Sequence, residues 1–542
     1  MIEGRSLVIE QKQRYDSIDS IPYLIELMKE QFYNILRSDT SRWKLSKSEI
    51  LKWEKSKQSL RQAIKNCSYG DEQARYLIQE YMKEFLENEL DRKEELLDQI
   101  LPFEKPLRMK ERTKFLILLY LTEKDHGKDA LSFLIQTYRW NQPKYDGEDA
   151  IYEVNVQDLD RIFYLKYREL NYVEKLEIVI QTIYENSFGY GIVDRILTMN
   201  LDGVSAGVSK DILSLWIFYK GTMIHFSCLR FEEEQELIRI CKNIYRYGNY
   251  GQLSQTRGYI TGNRKDGSRV VVMRPPFSES WVFFVRKFDI AKQLELGDIL
   301  VRDQTMCLRT ILKWIVKGCQ VTGITGDQGC GKTTLLMALI GLIPHSYTIR
   351  TQELTFELQL RERYPERNIV SLRETEQIHG QEALDILKKT DGVVTILGEV
   401  ATNEVASWLI QVSQTASLFT MFTHHAKTTK DLIEGLRNAL LQAGGFRNEE
   451  IALKQVMTSV RFDIHMAKTR SGERFVERVT EIVPIEEGVE IRDIIVWENG
   501  RYCKKHLITK EAQKQILKYL TVQERKQFLI DMEQFLEKES LC

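Results

Sequence analysis

The run Gly326-Asp327-Gln328-Gly329-Cys330-Gly331-Lys332-Thr333-Thr334 constrains this chain more than any other stretch. It is a G-x-x-x-x-G-K-T phosphate loop. A triphosphate held by successive backbone N–H groups at a helix N-terminus needs residues without bulky Cβ groups where the chain wraps the anion. Gly326 and Gly331 answer that need. Lys332 is placed to meet the β- and γ-phosphates as a point charge, and the Thr333 hydroxyl to complete the coordination of Mg²⁺. The context agrees: 320–325 (QVTGIT) reads as a strand, and 333–342 as a helix stopped by Pro344. A nucleoside triphosphate site lined by residues 326–334 is therefore expected, with Mg²⁺ beside the phosphates.

A chain of 542 residues exceeds one core and predicts about three domains. With 43% hydrophobic and 29% charged residues the composition is that of a globular protein, and 9 prolines leave no room for a long Pro-rich linker. A net charge of −1 supplies no global basic field, so no direct nucleic-acid partner is expected. Apolar runs such as 115–121 (FLILLYL) fall well short of the roughly 20 residues a membrane helix needs. The N-terminus lacks a basic region followed by an apolar one, and none of the 8 cysteines forms a C-x-x-C pair. A soluble cytoplasmic protein with reduced thiols and no zinc ribbon is the expectation.

Along the chain, residues 1–170 read as helical throughout. Leu24, Met28, Phe32 and Ile35 share one face, and Ser46-x-x-Glu49 is a capping box. Residues 171–290 read as an α+β domain with a Lys220-Gly221 hairpin signal and three arginines at strand or turn ends, Arg264, Arg269 and Arg286. Residues 291–505 alternate strands and helices as a parallel, helix-covered sheet requires, and residues 506–542 form a helical tail whose apolar stripe is expected to pack back on the body.

Strand ends carry the remaining candidates. Glu399 follows the apolar run 393–397 (VVTIL), at the carboxyl end of a buried strand where ligands sit in such sheets. A carboxylate there polarises the attacking water or holds Mg²⁺. Glu353 stands at a similar rim position. His424 and His425 end another strand, where an imidazole either senses the γ-phosphate or is satisfied structurally.

In this order, GDQGCGKTTLL, an acidic strand end followed by ELQL, VVTILGEV and FTHHAKTTKDL resemble the secretion ATPases of type II and type IV systems and of pilus assembly. The closest resemblance is to the tight-adherence (Flp) pilus branch. It spans about residues 180 to 485 and includes Phe188-Gly189-Tyr190-Gly191, Asp266-Gly267-Ser268-Arg269 and Val285-Arg286-Lys287-Phe288. The resemblance implies a homo-hexamer with ATP on a RecA-like domain, closed over by the preceding domain. It makes Lys332 and Thr333 the Walker A pair and Glu399 the end of the Walker B strand. Glu353 then belongs to the acidic box, His425 to the histidine box, and Arg269 and Arg286 to the inter-domain arginines, with Arg264 beside its position. Two departures stand out: Leu354 replaces a second carboxylate, and Ala401 falls where an arginine is common. They bear on hydrolysis and inter-subunit contact, not on nucleotide binding.

The expected activity is Mg-dependent ATP hydrolysis that drives pilus assembly or protein export through an integral-membrane platform, with the chain peripheral at the cytoplasmic membrane. The alternatives are a weakly hydrolysing assembly or regulatory protein and a conjugative motor of type IV secretion.

Overall fold

The computed structural model describes residues 20–38, 46–90, 92–146, 149–248, 251–288, 295–302, 305–375, 378, 380–387, 389–415, 417–469, 472–486 and 488–537. It divides into two compact units, Met1–Phe288 and Asp289–Cys542.

In the first unit α1 (Ile21–Arg37) buries Leu24, Met28 and Phe32, the face its spacing predicts. The Ser46 box opens α2 (Lys47–Cys67), with the Glu49 N–H donating to Ser46 Oγ and the Ser46 N–H to the Glu49 carboxylate. Asp71 caps α3 (Glu72–Glu89) by accepting from the Gln73 and Ala74 N–H groups. Then follow α4 (Glu94–Ile100), α5 (Glu111–His126) and α6 (Ala130–Thr137). The region is not helical throughout: β1 (Lys144–Asp146) and β2 (Asp149–Ile151) pair antiparallel.

After α7 (Val156–Lys166), α8 (Tyr172–Ser187) and α9 (Val193–Ile196) come the strands β3 (Gly203–Ala206), β4 (Ser214–Tyr219) and β5 (Thr222–Arg230). The helix α10 (Glu234–Asn243) leads to β6 (Tyr259–Asn263), β7 (Arg269–Met273) and β8 (Val282–Arg286). These strands form an antiparallel sheet in the order β5-β4-β3-β8-β7-β6. The β4–β5 turn has positive φ at both Lys220 (46°) and Gly221 (83°), the geometry that matches the twist of a two-residue hairpin. Phe115, Leu118 and Ile162 of the helices share a core with Val204, Phe226 and Phe283 of the sheet, so helices and sheet form one body.

The second unit is built on β9 (Thr322–Gly326), β10 (Ile349–Glu353), β11 (Ile369–Arg373), β12 (Val394–Leu397), β13 (Phe419–His424), β14 (Phe462–Lys468), β15 (Arg474–Ile485), β16 (Gly488–Glu498) and β17 (Arg501–Lys504). Their order is β11-β10-β12-β13-β9-β14-β15-β16-β17. From β11 to β14 every neighbouring pair is parallel, as expected, whereas β14 to β17 run antiparallel, a departure from the all-parallel expectation.

Helices cover both faces. On one lie α11 (Leu296–Ile299), α12 (Met306–Lys317), α13 (Lys332–Ile340), α14 (Leu360–Arg363), α19 (Lys510–Tyr519) and α20 (Val522–Glu537), against Ile324, Ile396 and Met421. On the other lie α15 (Gly380–Leu387), α16 (Asn403–Thr415), α17 (Thr429–Gln442) and α18 (Glu449–Ser459), against Leu397 and Phe422. Phe528 of α20 meets Trp314 edge-on at 5.5 Å, and the Trp314 Nε1–H donates to Asp531 at 2.8 Å. The tail's apolar stripe thus packs on the body. Cys67, Cys228, Cys241, Cys319, Cys330 and Cys503 are free thiols. Among the described residues no helix is long and apolar enough to cross a membrane.

Candidate nucleotide site

Every residue of β9 is buried, so the strand fixes where the phosphate loop begins. Gly326 leaves it with φ of +135°, and a Cβ there would stand 2.2 Å from the Met466 carbonyl oxygen and 2.8 Å from Cys330 Sγ. Gly331, at φ +98°, is the N-cap of α13. Both positions demand glycine, the first by contact as well as conformation. The result is a bare backbone turn ending on a helix N-terminus, the cradle that suits a chain of phosphates. Cys330 is fully buried beneath it, and burial pushes its thiol up, so it packs rather than reacts.

The parallel register brings the strand ends to one rim. Gln352 pairs with Leu397, Leu397 with Phe422, and His424 with Thr325, the residue before the loop. Lys332 is buried, and its Nζ donates to the carbonyl oxygens of Gly326 and Asp327, both at 2.9 Å. Its third contact is His425 Nδ1 at 3.3 Å. On the far side of the same ring, His425 Nε2 lies 3.2 Å from Glu399 Oε1. Because the ammonium only donates, Nδ1 accepts and Nε2–H donates to the carboxylate, which assigns the tautomer from the network. Three sequence candidates are thereby joined in one chain, with His425 and Glu399 partly open to solvent. No carboxylate reaches ion-pair distance of Lys332 among the described residues, and burial pulls its ammonium below the usual lysine range.

Glu353 sits at the end of β10 and is turned inward. Its Oε2 accepts from the Leu358 N–H at 2.8 Å and its Oε1 from Thr351 Oγ1 at 3.3 Å. Burial pushes its carboxyl up to about 7. Gly398 makes room for it, since a Cβ there would be 2.9 Å from Glu353 Cγ. Glu353 therefore shapes both the segment after β10 and the approach to Glu399. His424 Nδ1 donates to the Val400 carbonyl at 2.8 Å, and burial lowers its pKa, so it ties β13 to the segment after Glu399 as a neutral ring.

The three candidate arginines belong to the first unit. Arg269 and Arg286 are register partners across β7 and β8. Arg264 is 4% exposed, 3.3 Å from Asp266 and stacked over Tyr190.

One cluster under the loop escaped the sequence reading. Asp463 of β14 is fully buried and accepts from Thr325 Oγ1 and from Thr429 Oγ1, each at 2.6 Å. Thr325 Oγ1 is also 2.9 Å from His465 Nδ1, whose pKa burial lowers to about 4. The only signal was an acid inside the apolar strand pattern of 462–466 (FDIHM), a burial that demands partners.

Residues 276–490 match the family model described as type II/IV secretion system protein. No curated protein matches the chain. Among solved structures, the VirB11 ATPase of the Brucella suis type IV secretion system, in complex with sulphate, is 19% identical over 52% of this chain and 89% of that one, at a TM-score of 0.29. The Legionella pneumophila ATPase DotB is 16% identical over 63% and 86%, at 0.37. The pilus retraction motor PilT with bound ADP is 14% identical over 65% and 93%, at 0.38.

Proposed function

We propose, for a chain whose residues 276–490 match the type II/IV secretion system protein family model, an ATPase that couples hydrolysis to pilus assembly or protein export. The observation that carries this reading is the chain Lys332–His425–Glu399 at the mouth of a glycine cradle, with contacts of 3.3 and 3.2 Å. A triphosphate entering the cradle draws Lys332 Nζ from the Gly326 and Asp327 carbonyls onto its β- and γ-oxygens, where a buried cation is worth most. Glu399, partly exposed at the rim, orients the attacking water, and the Nε2–H of His425 holds the carboxylate in place. The Thr333 hydroxyl and the Glu399 carboxylate are hard oxygen donors that fit Mg²⁺, which would offset phosphate charge when bound. Arg269 and Arg286 supply further positive charge from the preceding domain, and Arg264 joins them only by leaving Asp266.

The working form is a homo-hexamer at the cytoplasmic face of a membrane, acting on an integral-membrane platform. Of the segments 1–170, 171–290, 291–505 and 506–542, the third carries hydrolysis and the second closes on the nucleotide. Glu399→Gln keeps ATP binding and cuts steady-state phosphate release by about 10²- to 10⁴-fold, the usual cost of losing a general base. Unchanged turnover in that variant overturns the assignment.

A second reading, a weakly hydrolysing assembly or regulatory protein, is favoured by one observation. Lys332 is already satisfied by its own loop and Glu399 by His425, and Leu354 and Ala401 remove two charged groups from the rim. Phosphate release measured across the oligomer peaks of a sizing column separates the two readings.

A further inference from the structure

Thr325 and Thr429 are separated by more than a hundred residues, yet both hydroxyls end on one carboxylate. Thr325 is the last residue before Gly326, and Thr429 is the first residue of α17, four positions after His425. Asp463 takes Thr325 on Oδ1 and Thr429 on Oδ2, each at 2.6 Å, and all three residues are buried. We propose that Asp463 is a positioning residue that locks the phosphate loop to the His425 segment, so that what the loop binds is felt by α17. The inference rests on the nucleotide-binding reading above and adds to it a route by which occupancy leaves the site.

The direction of each hydrogen bond follows from counting protons. A hydroxyl has one hydrogen, and Thr325 gives it to Asp463. Its 2.9 Å contact with His465 is therefore satisfied only if the Nδ1 of a neutral ring donates to it. Thr429 likewise spends its hydrogen on Oδ2. The carboxylate is thus the terminal acceptor of a one-way chain, His465 to Thr325 to Asp463. An amide in its place would donate where a hydroxyl already donates, leaving one buried hydrogen unpaired.

The segment between the two anchors has little freedom. Arg478 Nη2 donates to the Lys427 carbonyl at 3.3 Å, and Thr428 Oγ1 accepts from the Asp431 N–H at 3.0 Å to cap α17. Residues 425–429 are thereby held at His425 by Lys332, at Lys427 by Arg478 and at Thr429 by Asp463. When a nucleotide removes Lys332 from His425, the remaining ties pass the change to α17. A carboxylate serving only to satisfy two hydroxyls would stabilise the fold to the same extent whether or not nucleotide is bound.

The test uses the full chain, with Thr429→Val removing one hydroxyl at nearly constant shape and Thr429→Ser restoring it. Amide hydrogen exchange of 429–442 is measured with and without a non-hydrolysable ATP analogue, alongside the analogue's Kd and the melting temperature. The expected result is that wild type and Thr429→Ser gain protection in α17 on binding. Thr429→Val binds with a Kd within about twofold of wild type and loses that gain by roughly tenfold in exchange rate, about 1.4 kcal/mol. Asp463→Asn gives the same loss with a larger fall in melting temperature. Retention of the nucleotide-dependent protection in Thr429→Val overturns the proposal, as does parallel loss in the Val and Ser variants. If wild type itself binds no analogue, the nucleotide reading falls and the proposal with it.

Discussion

The helical seam of the first unit and the phosphate loop of the second both bury cations, and they satisfy them in opposite ways. In the helical seam of the first unit Arg75 lies 3.6 Å from Asp194, and Arg112 lies 2.9 Å from Glu236 and 3.6 Å from Glu185. Burial works against Arg75 more than any neighbour does, yet Asp194, Tyr184 and Glu185 together hold its guanidinium above its ordinary value. Arg112 behaves alike, with Glu185 and Glu236 outweighing burial. Lys332 at the phosphate loop meets two carbonyls and an imidazole instead, and burial wins. A cation buried with carboxylates belongs to the architecture, and removing it strands charge. A cation buried with neutral dipoles at the mouth of a bare glycine cradle, as Lys332 is, is poised for an anion that arrives later.

Breaking the seam has the largest effect on the fold. Arg112→Met leaves Glu236 and Glu185 facing an apolar side chain and is expected to cost about 3–5 kcal/mol in denaturant unfolding of the first unit. Burial pushes the Glu185 carboxyl up to about 7 even beside Arg112, so Glu236 at 2.9 Å is the partner whose stranded charge dominates. Nucleotide affinity of the second unit should stay within about twofold.

The next effect is a pH dependence carried by Glu353. Its folded carboxyl stands at about 7 against an ordinary 4.5, so the protonated form is favoured by folding. The stability it contributes is complete below about 4.5 and is lost as pH rises to about 7, by up to about 3 kcal/mol. Glu353→Gln should remove that slope, so that the variant gains on wild type between pH 5 and about pH 7 in thermal melts. Parallel pH profiles for the two proteins would place the carboxyl's ionisation elsewhere.

Much of this contrast was visible in the sequence, because the signals are local. The loop from Gly326 to Lys332, the strand end before Glu399 and the Lys220-Gly221 turn each depend on a few neighbouring residues whose conformational demands are narrow. What was not legible depends on distant pairing. Asp463 reads as an acid in a strand until β14 lies beside β9 and brings Thr325, 138 residues away, to its oxygen. The Lys332–His425 contact spans 93 residues, and no local spacing encodes it. The β1–β2 hairpin was hidden because its strands are three residues long and set among helices. The antiparallel course of β15, β16 and β17 depends on pairing along the sheet edge, which no local pattern encodes. Glu353 was correctly placed at a strand end, but its inward turn toward the Leu358 N–H follows from the packing of Gly398.

The most direct test of the central claim is Lys332→Met, followed by titration with a fluorescent ADP and by thermal melting of the same preparations. The buried ammonium is predicted to stabilise bound phosphate and not the fold. Affinity should fall at least tenfold, in line with the 1.5–3 kcal/mol of a hydrogen bond to a charged group, while the melting temperature stays at or above that of wild type. A variant that keeps its affinity, or that melts early as Arg112→Met does, would show that Lys332 is one more structural cation and that the cradle above it was read wrongly.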